Sequence, residues 1–276
     1  MIASVEPLTI GDLHSCLALA QDRHWPAEER KWRFLFAVGT VYGARDSTGD
    51  VIGTTVLTRF GTGLAAVSMV LVATRHERQG LGRRLMERVL SEAHGAVVFL
   101  NATELGRPLY EKVGFAPVGT THTHIGTFAP ARGAVRSRPA LPADLPAIES
   151  LDAAVMGADR GALVRSLPGF CAHLRVVEDG GEITGYAGAW RNVANAVVGP
   201  VIAASAGDAR ALIADLARAV GGPVRVDLDE RDTELRAWAT KHGLAFRYSE
   251  PLMVLGGRPL PGDRSRWFSP LTQSIG

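Results

Sequence analysis

Residues 70–85 read VLVATRHERQGLGRRL, a run that passes from an apolar strand through a short polar loop into an amphipathic helix. Gly80 and Gly82 lie where the loop becomes the helix, and glycine lets a backbone approach a ligand closely. Because the first N–H groups of a helix lack internal acceptors, this junction predicts a site for phosphate oxygens that a pyrophosphate would fit. The alternative is a glycine-containing turn without a ligand, which a lone Gly-Leu-Gly also fits.

A second informative stretch, residues 100–115, reads LNATELGRPLYEKVGF. It begins as a strand, continues as a short helix and ends in the run from Tyr110 to Phe115, YEKVGF. Its first residue lies 30 positions after the first residue of the earlier stretch. Two such patterns in a fixed order are far more specific than either pattern alone.

Together, the two stretches resemble the acetyl-CoA-binding motif and the second signature of the GNAT superfamily of N-acetyltransferases. The resemblance implies that main-chain groups of Val70, Leu71 and Val72 hold the pantetheine arm and the thioester. It also implies that Tyr110 is the catalytic general acid that protonates the departing thiolate, the alternative being a tyrosine packed beneath the strands. The amides implied to cradle the pyrophosphate are those of Arg78, Gln79, Gly80, Leu81, Gly82 and Arg83.

Two positions depart from the family pattern, and a third has a predicted role of its own. Glu77 stands where the family has Arg or Gln, so a carboxylate facing the phosphates would repel them and weaken coenzyme binding. Thr103, a predicted coenzyme-binding residue, offers a hydroxyl where the family often has the carboxamide of Asn. Gly106 lies one helical turn before Tyr110 and is predicted to let the coenzyme arm pass closely.

Strand and helix patterns alternate along the chain and occur twice in the same order. Gly53 corresponds to Gly185 at an offset of 132 residues, and Gly114 corresponds to Gly243 at an offset of 129. Because the order repeats and the offset changes by only three residues, we interpret the two halves as a duplication. The matched patterns are hairpins in 41–60 and 174–190, strands in 64–73 and 197–203, and helices in 80–93 and 208–220.

The duplication and the resemblance together predict an α/β (α+β) protein of two tandem GNAT-like domains, each a mixed, mostly antiparallel sheet flanked by helices. Residues 127–138 are rich in Pro, Gly, Ala and Arg and lack an apolar period, which predicts a linker. The predicted N-terminal, catalytic domain is 1–126. The predicted C-terminal domain is 139–257, and a tail of unassigned role covers 258–276.

The second half keeps the order of elements but not the motifs. Asp208 stands near the start of its glycine-poor helix, where an acid suits a helix cap but opposes a phosphate. The counterpart of the closing signature, residues 238–243, reads WATKHG and has no tyrosine. The chain therefore resembles tandem GNAT proteins whose C-terminal domain is degenerate.

Candidate acceptor-binding residues are His24, Trp25 and His124. The first two lie between the first two predicted helices, a loop that borders the acceptor pocket in GNAT enzymes; a loop anchored by its tryptophan is the alternative. His122 and His124 share one face of a strand, as bases or metal ligands do, but they also fit a half-exposed strand. Because further zinc ligands are missing from the pattern, no metal is predicted.

Composition argues against several other classes of protein. Thirty Lys and Arg against 28 Asp and Glu leave a net charge of +2, too little to attract a nucleic acid. The apolar run 64–73 is shorter than the roughly 20 residues that span a bilayer, and the N-terminus lacks a signal-peptide pattern. Cys16 and Cys171 are too few for a disulfide framework. We predict a cytoplasmic monomer or homodimer without a membrane partner.

The sequence thus predicts an acyltransferase that uses acetyl-CoA as co-substrate and acetylates the amine of a small molecule by direct attack in a ternary complex. The alternative is a non-catalytic acyl-CoA-binding or regulatory module, motivated by Glu77, Thr103 and the degenerate second half. A dinucleotide-binding oxidoreductase is a third possibility. The predicted hairpins that precede the strands in 64–73 and 197–203 argue against this class, since its sheet is parallel.

Overall fold

The computed structural model describes residues 4–129 and 135–276, so 130–134, the middle of the predicted linker, lies outside the described residues. The chain divides into two units, each compact in itself. Unit 1 comprises the chain up to Val118 together with Met253–Pro259 and Ile275. Unit 2 comprises Gly119–Leu252, Leu260–Ser274 and Gly276.

The elements of unit 1 follow the predicted alternation of strands and helices. Its strands are β1 (Val5–Pro7), β2 (Thr40–Arg45), β3 (Val51–Phe60), β4 (Leu64–Val72) and β5 (Val97–Asn101). Its helices are α1 (Leu13–Asp22), α2 (Glu29–Val38), α3 (Leu81–Glu92) and α4 (Arg107–Lys112). Short 3-10 turns cover Ile10–Asp12 and Thr74–His76.

The sheet of unit 1 has the order β1-β2-β3-β4-β5-β12, in which β12 (Ala245–Leu255) enters through its last residues. The ladders from β1 to β4 are antiparallel, and β4 pairs with β5 in parallel. Helix α3 packs on this sheet through buried apolar side chains at three- and four-residue spacing, as its amphipathic pattern predicts. A Cβ on Gly53 of β3 would lie 3.0 Å from Leu81 Cδ2, so glycine lets the helix approach closely.

Unit 2 repeats this order of elements. Its strands are β6 (Phe115–Thr127), β7 (Arg138–Pro139), β8 (His173–Asp179), β9 (Glu182–Arg191), β10 (Ala196–Ala203), β11 (Pro223–Asp229), β12 and β13 (Trp267–Ser269), of which β6 begins and β12 ends in unit 1. Its helices are α5 (Leu145–Met156), α6 (Gly161–Phe170), α7 (Ala206–Val220) and α8 (Thr233–Lys241). Short 3-10 turns cover Pro142–Asp144 and Arg264–Arg266.

The sheet of unit 2 has the order β12-β6-β11-β10-β9-β8-β7, and β13 also pairs with β10. The β10–β11 ladder is parallel, as is its counterpart in unit 1, whereas β8, β9 and β10 pair antiparallel. Helix α7 packs its buried Leu212, Ile213 and Leu216 into the apolar core of this unit. The predicted fold class, two α/β (α+β) domains whose mixed, mostly antiparallel sheets are flanked by helices, is confirmed.

Each unit completes its sheet with a strand from the other half of the sequence. Thr121–Thr127 of β6 pairs antiparallel with Asp229–Pro223 of β11, inside unit 2. Conversely, Met253 of β12 joins the apolar core around Tyr110 and Phe115, inside unit 1. The predicted domain boundaries assign whole strands by sequence position, whereas the compact units exchange these two segments.

Candidate active site

A β-bulge interrupts β4 in the middle of the sheet of unit 1. The register against β3 shifts where Thr54 pairs with Leu71 and Val56 pairs with Ser68, so two residues of β4 oppose one of β3. Met69, inside the bulge, has a φ of 49°, which is unfavourable for a residue with a side chain. The buried Thr54 hydroxyl donates to the Met69 carbonyl at 2.9 Å and fixes the bulge. The bulge therefore redirects the end of β4.

Beyond the bulge, β4 and β5 are no longer paired. Their parallel ladder joins Leu64–Ala66 to Val97–Phe99 and stops there, although β4 continues to Val72 and β5 to Asn101. On its other edge, β4 stays paired with β3 up to Val72. The two central strands thus part at their C-terminal ends, and the predicted pantetheine-binding residues Val70, Leu71 and Val72 line the open edge. An extended ligand with amide groups would find main-chain partners here.

Helix α3 begins at the mouth of this opening with an uncapped N-terminus. Gly80 is the N-cap residue with a φ of 79°, and the first main-chain bond of the helix runs from Arg84 N–H to the Gly80 carbonyl at 3.2 Å. As a glycine, the N-cap residue has no side chain that could cap this end. The amides of Leu81, Gly82 and Arg83 precede that first bond and have no acceptor within the helix, so they are available to an anion.

The two glycines of the loop serve different purposes. A Cβ on Gly80 would meet nothing within 4 Å, so its left-handed backbone is the reason for glycine at this position. A Cβ on Gly82 would lie 3.1 Å from Leu109 Cδ2 and 3.7 Å from Val72 Cγ2. Gly82 therefore lets the start of α3 lie close to both α4 and the end of β4, which brings the predicted phosphate, pantetheine and acid positions together.

The carboxylate of Glu77, predicted to repel phosphates, is paired with Arg23 at the end of α1. The Arg23 side chain is only 16% exposed and also donates to Thr74 Oγ1 at 3.2 Å. Its neighbour Asp22 accepts the Thr74 N–H at 2.7 Å, a bond that holds the pKa of Asp22 below its ordinary value. The glycine loop is thus fastened to α1, and the charge of Glu77 is compensated.

Positive side chains surround the uncapped helix start. Arg78, with a φ of 58°, and Gln79 are exposed, and the Gln79 side chain donates to the Arg75 carbonyl at 3.3 Å. Arg83 is exposed and pairs with Glu87 one turn along the helix at 2.8 Å. Arg75 pairs with Asp46 at 2.9 Å. Because Arg75 and Arg83 are paired with carboxylates, the attraction for an anion at this helix start rests mainly on the main-chain amides and the helix dipole.

Tyr110 lies on α4 and is buried, with its ring edge-on to Phe115 at a centroid distance of 6.2 Å. A Cβ on Gly106 would lie 2.9 Å from Tyr110 Cε2 and 3.2 Å from Thr103 Oγ1. The side chains of Tyr110 and Thr103 therefore fill the space beside Gly106. A glycine at position 106 leaves room for the Tyr110 ring. The predicted passage of the coenzyme arm beside Gly106 stays a prediction.

Thr103 stabilises the turn that leads into α4. Its hydroxyl oxygen accepts the Gly106 N–H at 3.1 Å, while its carbonyl accepts the Arg107 N–H at 2.9 Å. This arrangement gives Thr103 a local structural role. Coenzyme binding by Thr103 stays a prediction. The hydroxyl O–H is the group that would donate to the coenzyme, since the hydroxyl oxygen already accepts the Gly106 N–H.

The predicted acceptor-side residues fall into different units. His24 is exposed and Trp25 half-buried in the α1–α2 loop of unit 1, where Trp25 N–H donates to the Ala20 carbonyl at 2.9 Å. His124 belongs to unit 2 and is buried beside Phe246. Its Nδ1 lies 3.1 Å from the Leu244 carbonyl, and burial lowers its pKa. These contacts hold the His124 ring in unit 2, and acceptor binding by His124 stays a prediction.

Sequence inspection missed the residues that shape the site through distant contacts. Thr54 and Met69 form the bulge, while Asp22 and Arg23 hold the glycine loop. Arg23 and Glu77 are separated by 54 residues, and neither lies in a motif that links them. The only available signal was the unexpected acid at position 77, which indicates that a compensating cation is needed nearby.

Two segments of the chain match models of the acetyltransferase (GNAT) domain, residues 37–117 and residues 148–269. The chain is 27% identical over 266 residues to YitH of Bacillus subtilis, an uncharacterized N-acetyltransferase, and the match covers 94% of each chain. Fold and site thus define a protein of the GNAT acetyltransferase type. The chain belongs to the GNAT superfamily and carries two of its domains in tandem.

Solved structures show the same fold. A candidate acetyltransferase from Pyrococcus horikoshii superposes with a TM-score of 0.83 at 17% identity, covering 99% of this chain and 95% of that one. A tandem GNAT protein from the clavulanic acid biosynthesis pathway superposes with a TM-score of 0.67 at 14% identity, covering 93% and 99%. At these identities the likeness extends to the fold alone.

Within residues 4–129 and 135–276, each helix is too short or too polar to cross a bilayer. In the same described residues, His, Cys, Asp and Glu side chains do not gather into a group of three or more that could hold a metal ion.

Replacing Arg23 by Ala tests whether the Arg23–Glu77 pair protects the glycine loop. We expect the Kd for acetyl-CoA to rise about threefold to tenfold, because an unpaired carboxylate beside bound phosphates costs about 0.5–1.5 kcal/mol. Adding Glu77→Gln should restore most of the affinity. Isothermal titration calorimetry measures both values, with Arg33→Ala as a control that removes an exposed pair on α2. An unchanged Kd for Arg23→Ala would contradict this role.

Proposed function

We propose that this chain is an acetyl-CoA-dependent N-acetyltransferase that acts on the amine of a small molecule. The observation that carries the proposal is the uncapped, glycine-started helix α3 at the mouth of the opening between β4 and β5. When bound, acetyl-CoA would supply the activated acetyl group as a thioester. The residues of the chain would bind it, orient it and supply a proton.

Two groups of main-chain atoms would hold the coenzyme. The amides of Leu81, Gly82 and Arg83 would donate to its phosphate oxygens, with the positive end of the α3 dipole behind them. The open edge of β4 from Val70 to Val72 would pair with the amides of the pantetheine arm. Because most of these contacts are made by the backbone, the compensated acid at Glu77 is compatible with binding.

Tyr110 is the residue we assign to proton transfer. Its phenol is held by the packing of its ring against Gly106 and Phe115, on a helix that touches the start of α3 through Leu109. Its Oη proton would pass to the sulfur as the thioester bond breaks, which avoids release of a free thiolate. A fixed ring position favours such a transfer because it requires little reorganisation.

Direct transfer from the thioester to the amine is favoured over an acyl-cysteine intermediate. Cys16 is fully buried, and burial raises its pKa to about 12, so it is a thiol and not a nucleophilic thiolate at neutral pH. Cys171 is also buried and lies in unit 2. For the acceptor side, His24 and Trp25 stay our candidates in unit 1.

The proposal predicts that acetyl-CoA stabilises the protein. At 100 times the Kd, a ligand specific for the native state adds about 2.7 kcal/mol, which corresponds to roughly 5–10 °C in melting temperature. Differential scanning fluorimetry measures the shift, with NAD as the control pyrophosphate ligand, which should give none. No shift at millimolar acetyl-CoA would contradict the proposal, and a shift with NAD alone would favour the oxidoreductase alternative.

Measuring the release of free CoA distinguishes an enzyme from a non-catalytic binding module. An amine library incubated with acetyl-CoA and the protein should contain at least one compound that raises thiol release well above the rate without enzyme. A protein that binds acetyl-CoA but does not raise thiol release above that rate with any of a chemically diverse set of amines would support the non-catalytic module.

A further inference from the structure

The C-terminal segment of unit 2 contributes a strand to the middle of its own sheet. Val201 of β10 pairs with Ala187 of β9 and also with Ser269 of β13. Ile202 likewise pairs with Tyr186 and with Trp267. A strand has two edges, so β13 must occupy the edge of β10 that faces β11.

This edge is the counterpart of the open edge of β4 in unit 1. The parallel ladder between β10 and β11 joins Ala196–Val198 to Val224–Val226 and stops, although β10 continues to Ala203. The register against β9 shifts between Val198 and Val201, as it does at the bulge of β4. β13 therefore fills the opening in unit 2 that a pantetheine arm would enter in unit 1.

Side chains and main-chain groups of the same segment seal the position. Phe268 joins the buried core of unit 2, and the Ser269 hydroxyl donates to the Val198 carbonyl at 3.3 Å. A Cβ on Gly199 would lie 2.0 Å from the Pro270 carbonyl oxygen, so the segment presses directly on β10. Beyond it, the indole N–H of Trp190 donates to the Leu271 carbonyl at 3.0 Å.

The end of the segment is fixed by a partly buried polar network. Arg225 of β11 donates to Gln273 Oε1 at 2.7 Å, and Gln273 Nε2 donates to Thr123 Oγ1 at 3.1 Å. The Thr123 hydroxyl in turn donates to the buried Asp227 at 2.6 Å. A segment that merely lay on the surface would not need side-chain bonds to two neighbouring strands.

The start of α7, which corresponds to the predicted phosphate-binding start of α3, is also blocked. The Ser205 hydroxyl accepts the Asp208 N–H at 3.1 Å, so a side chain takes up an amide that is uncapped at the start of α3. The Asp208 carboxylate, which an exposed Arg136 approaches at 3.7 Å, also accepts from the Ser205 hydroxyl at 2.7 Å and lies at the same helix end.

We propose that residues 263–276 act as an intramolecular plug: β13 takes the main-chain groups of β10 that an acyl-CoA would use and excludes one from unit 2. The comparison with pantetheine rests on the proposed function of unit 1, but the occupancy of the opening does not. The chain accordingly has one coenzyme site, and the C-terminal segment replaces the missing ligand in the second domain.

Hydrogen exchange followed by mass spectrometry tests the plug on the full-length protein, with and without acetyl-CoA. We expect amides of 267–269 and 201–203 to exchange roughly 100-fold more slowly than the exposed turn at Gly180–Gly181, in both conditions. Exchange of 267–269 at the rate of that turn would overturn the plug. Because this readout needs no coenzyme, it stays decisive even if acetyl-CoA fails to bind.

Gly199→Ala tests the contact that presses the plug on β10. The added methyl group overlaps the Pro270 carbonyl, so exchange in 267–273 should accelerate at least tenfold while α7 keeps its protection. Gly207→Ala is the matched control, since its methyl group would meet only Ser205 Oγ at 3.5 Å. If Gly199→Ala does not fold, Phe268→Ala should show the same selective acceleration. Unchanged exchange in a folded variant would contradict the contact.

The stoichiometry of binding gives an independent result. Titration calorimetry should give one acetyl-CoA per wild-type chain, whereas two would overturn the plug. Protection of 201–203 that increases on addition of acetyl-CoA would also overturn it, because the coenzyme would then have replaced β13.

Discussion

Gly80→Asp should weaken acetyl-CoA binding at least about 100-fold while the free protein stays folded. The new carboxylate would stand at the start of α3, where we propose that the amides of Leu81 to Arg83 donate to phosphate oxygens, and its negative charge would repel them. Since a Cβ at this position meets nothing within 4 Å, the side chain itself is accommodated. The left-handed backbone adds about 1 kcal/mol of strain, which Asp tolerates better than most residues.

Two controls separate charge from strain in this experiment. Gly80→Asn has nearly the same shape and backbone strain without the charge, and we expect at most about a tenfold loss of affinity. Gly63→Asp adds the same charge at an exposed turn with open space around it and should leave the Kd unchanged. Titration calorimetry and melting curves measure all three variants. If Gly80→Asp bound acetyl-CoA with wild-type affinity, the result would contradict a phosphate site at the start of α3.

Tyr110→Phe should lower kcat by about 10²-fold to 10⁴-fold, the usual contribution of a general acid, and leave the KM for acetyl-CoA within about threefold. The variant keeps the ring that packs on Gly106 and Phe115, so the fold and the coenzyme site are preserved. Steady-state kinetics with an amine found in the library measures both parameters. The split between kcat and KM identifies an interaction made in the transition state.

Tyr42→Phe is a matched control for this variant, because Tyr42 is equally buried in the core of unit 1 but lies on β2. Its kcat should stay within about twofold of wild type. Equal turnover of Tyr110→Phe and the wild-type enzyme would show that another group, or water, protonates the leaving thiolate.

The parts of the site that are local in sequence were predictable. The backbone at Gly80 and the uncapped amides after it depend on a few consecutive residues, so the run 70–85 is sufficient to predict them. The short helix carrying Tyr110 was predicted for the same reason. A glycine pattern before an amphipathic helix therefore predicts an uncapped helix start before any tertiary contact is known, and the structure has that start at Gly80.

The parts that depend on distant residues were not predictable. Glu77 is an example, since the cation that compensates it comes from α1, 54 residues earlier in the chain. Packing contacts between elements have no signature in a short window of sequence.

The sequence by itself determined the order of strands and helices, the duplication and the inequality of the two halves, because amphipathic periods and glycine positions are local properties. Only the tertiary structure decided which strands complete each sheet. β6 lies beside β11, Met253–Leu255 enters unit 1, and β13 fills the opening beside β10. The alternating pattern of a strand is compatible with many neighbours, so the pairing is selected by the edges and cores available after folding.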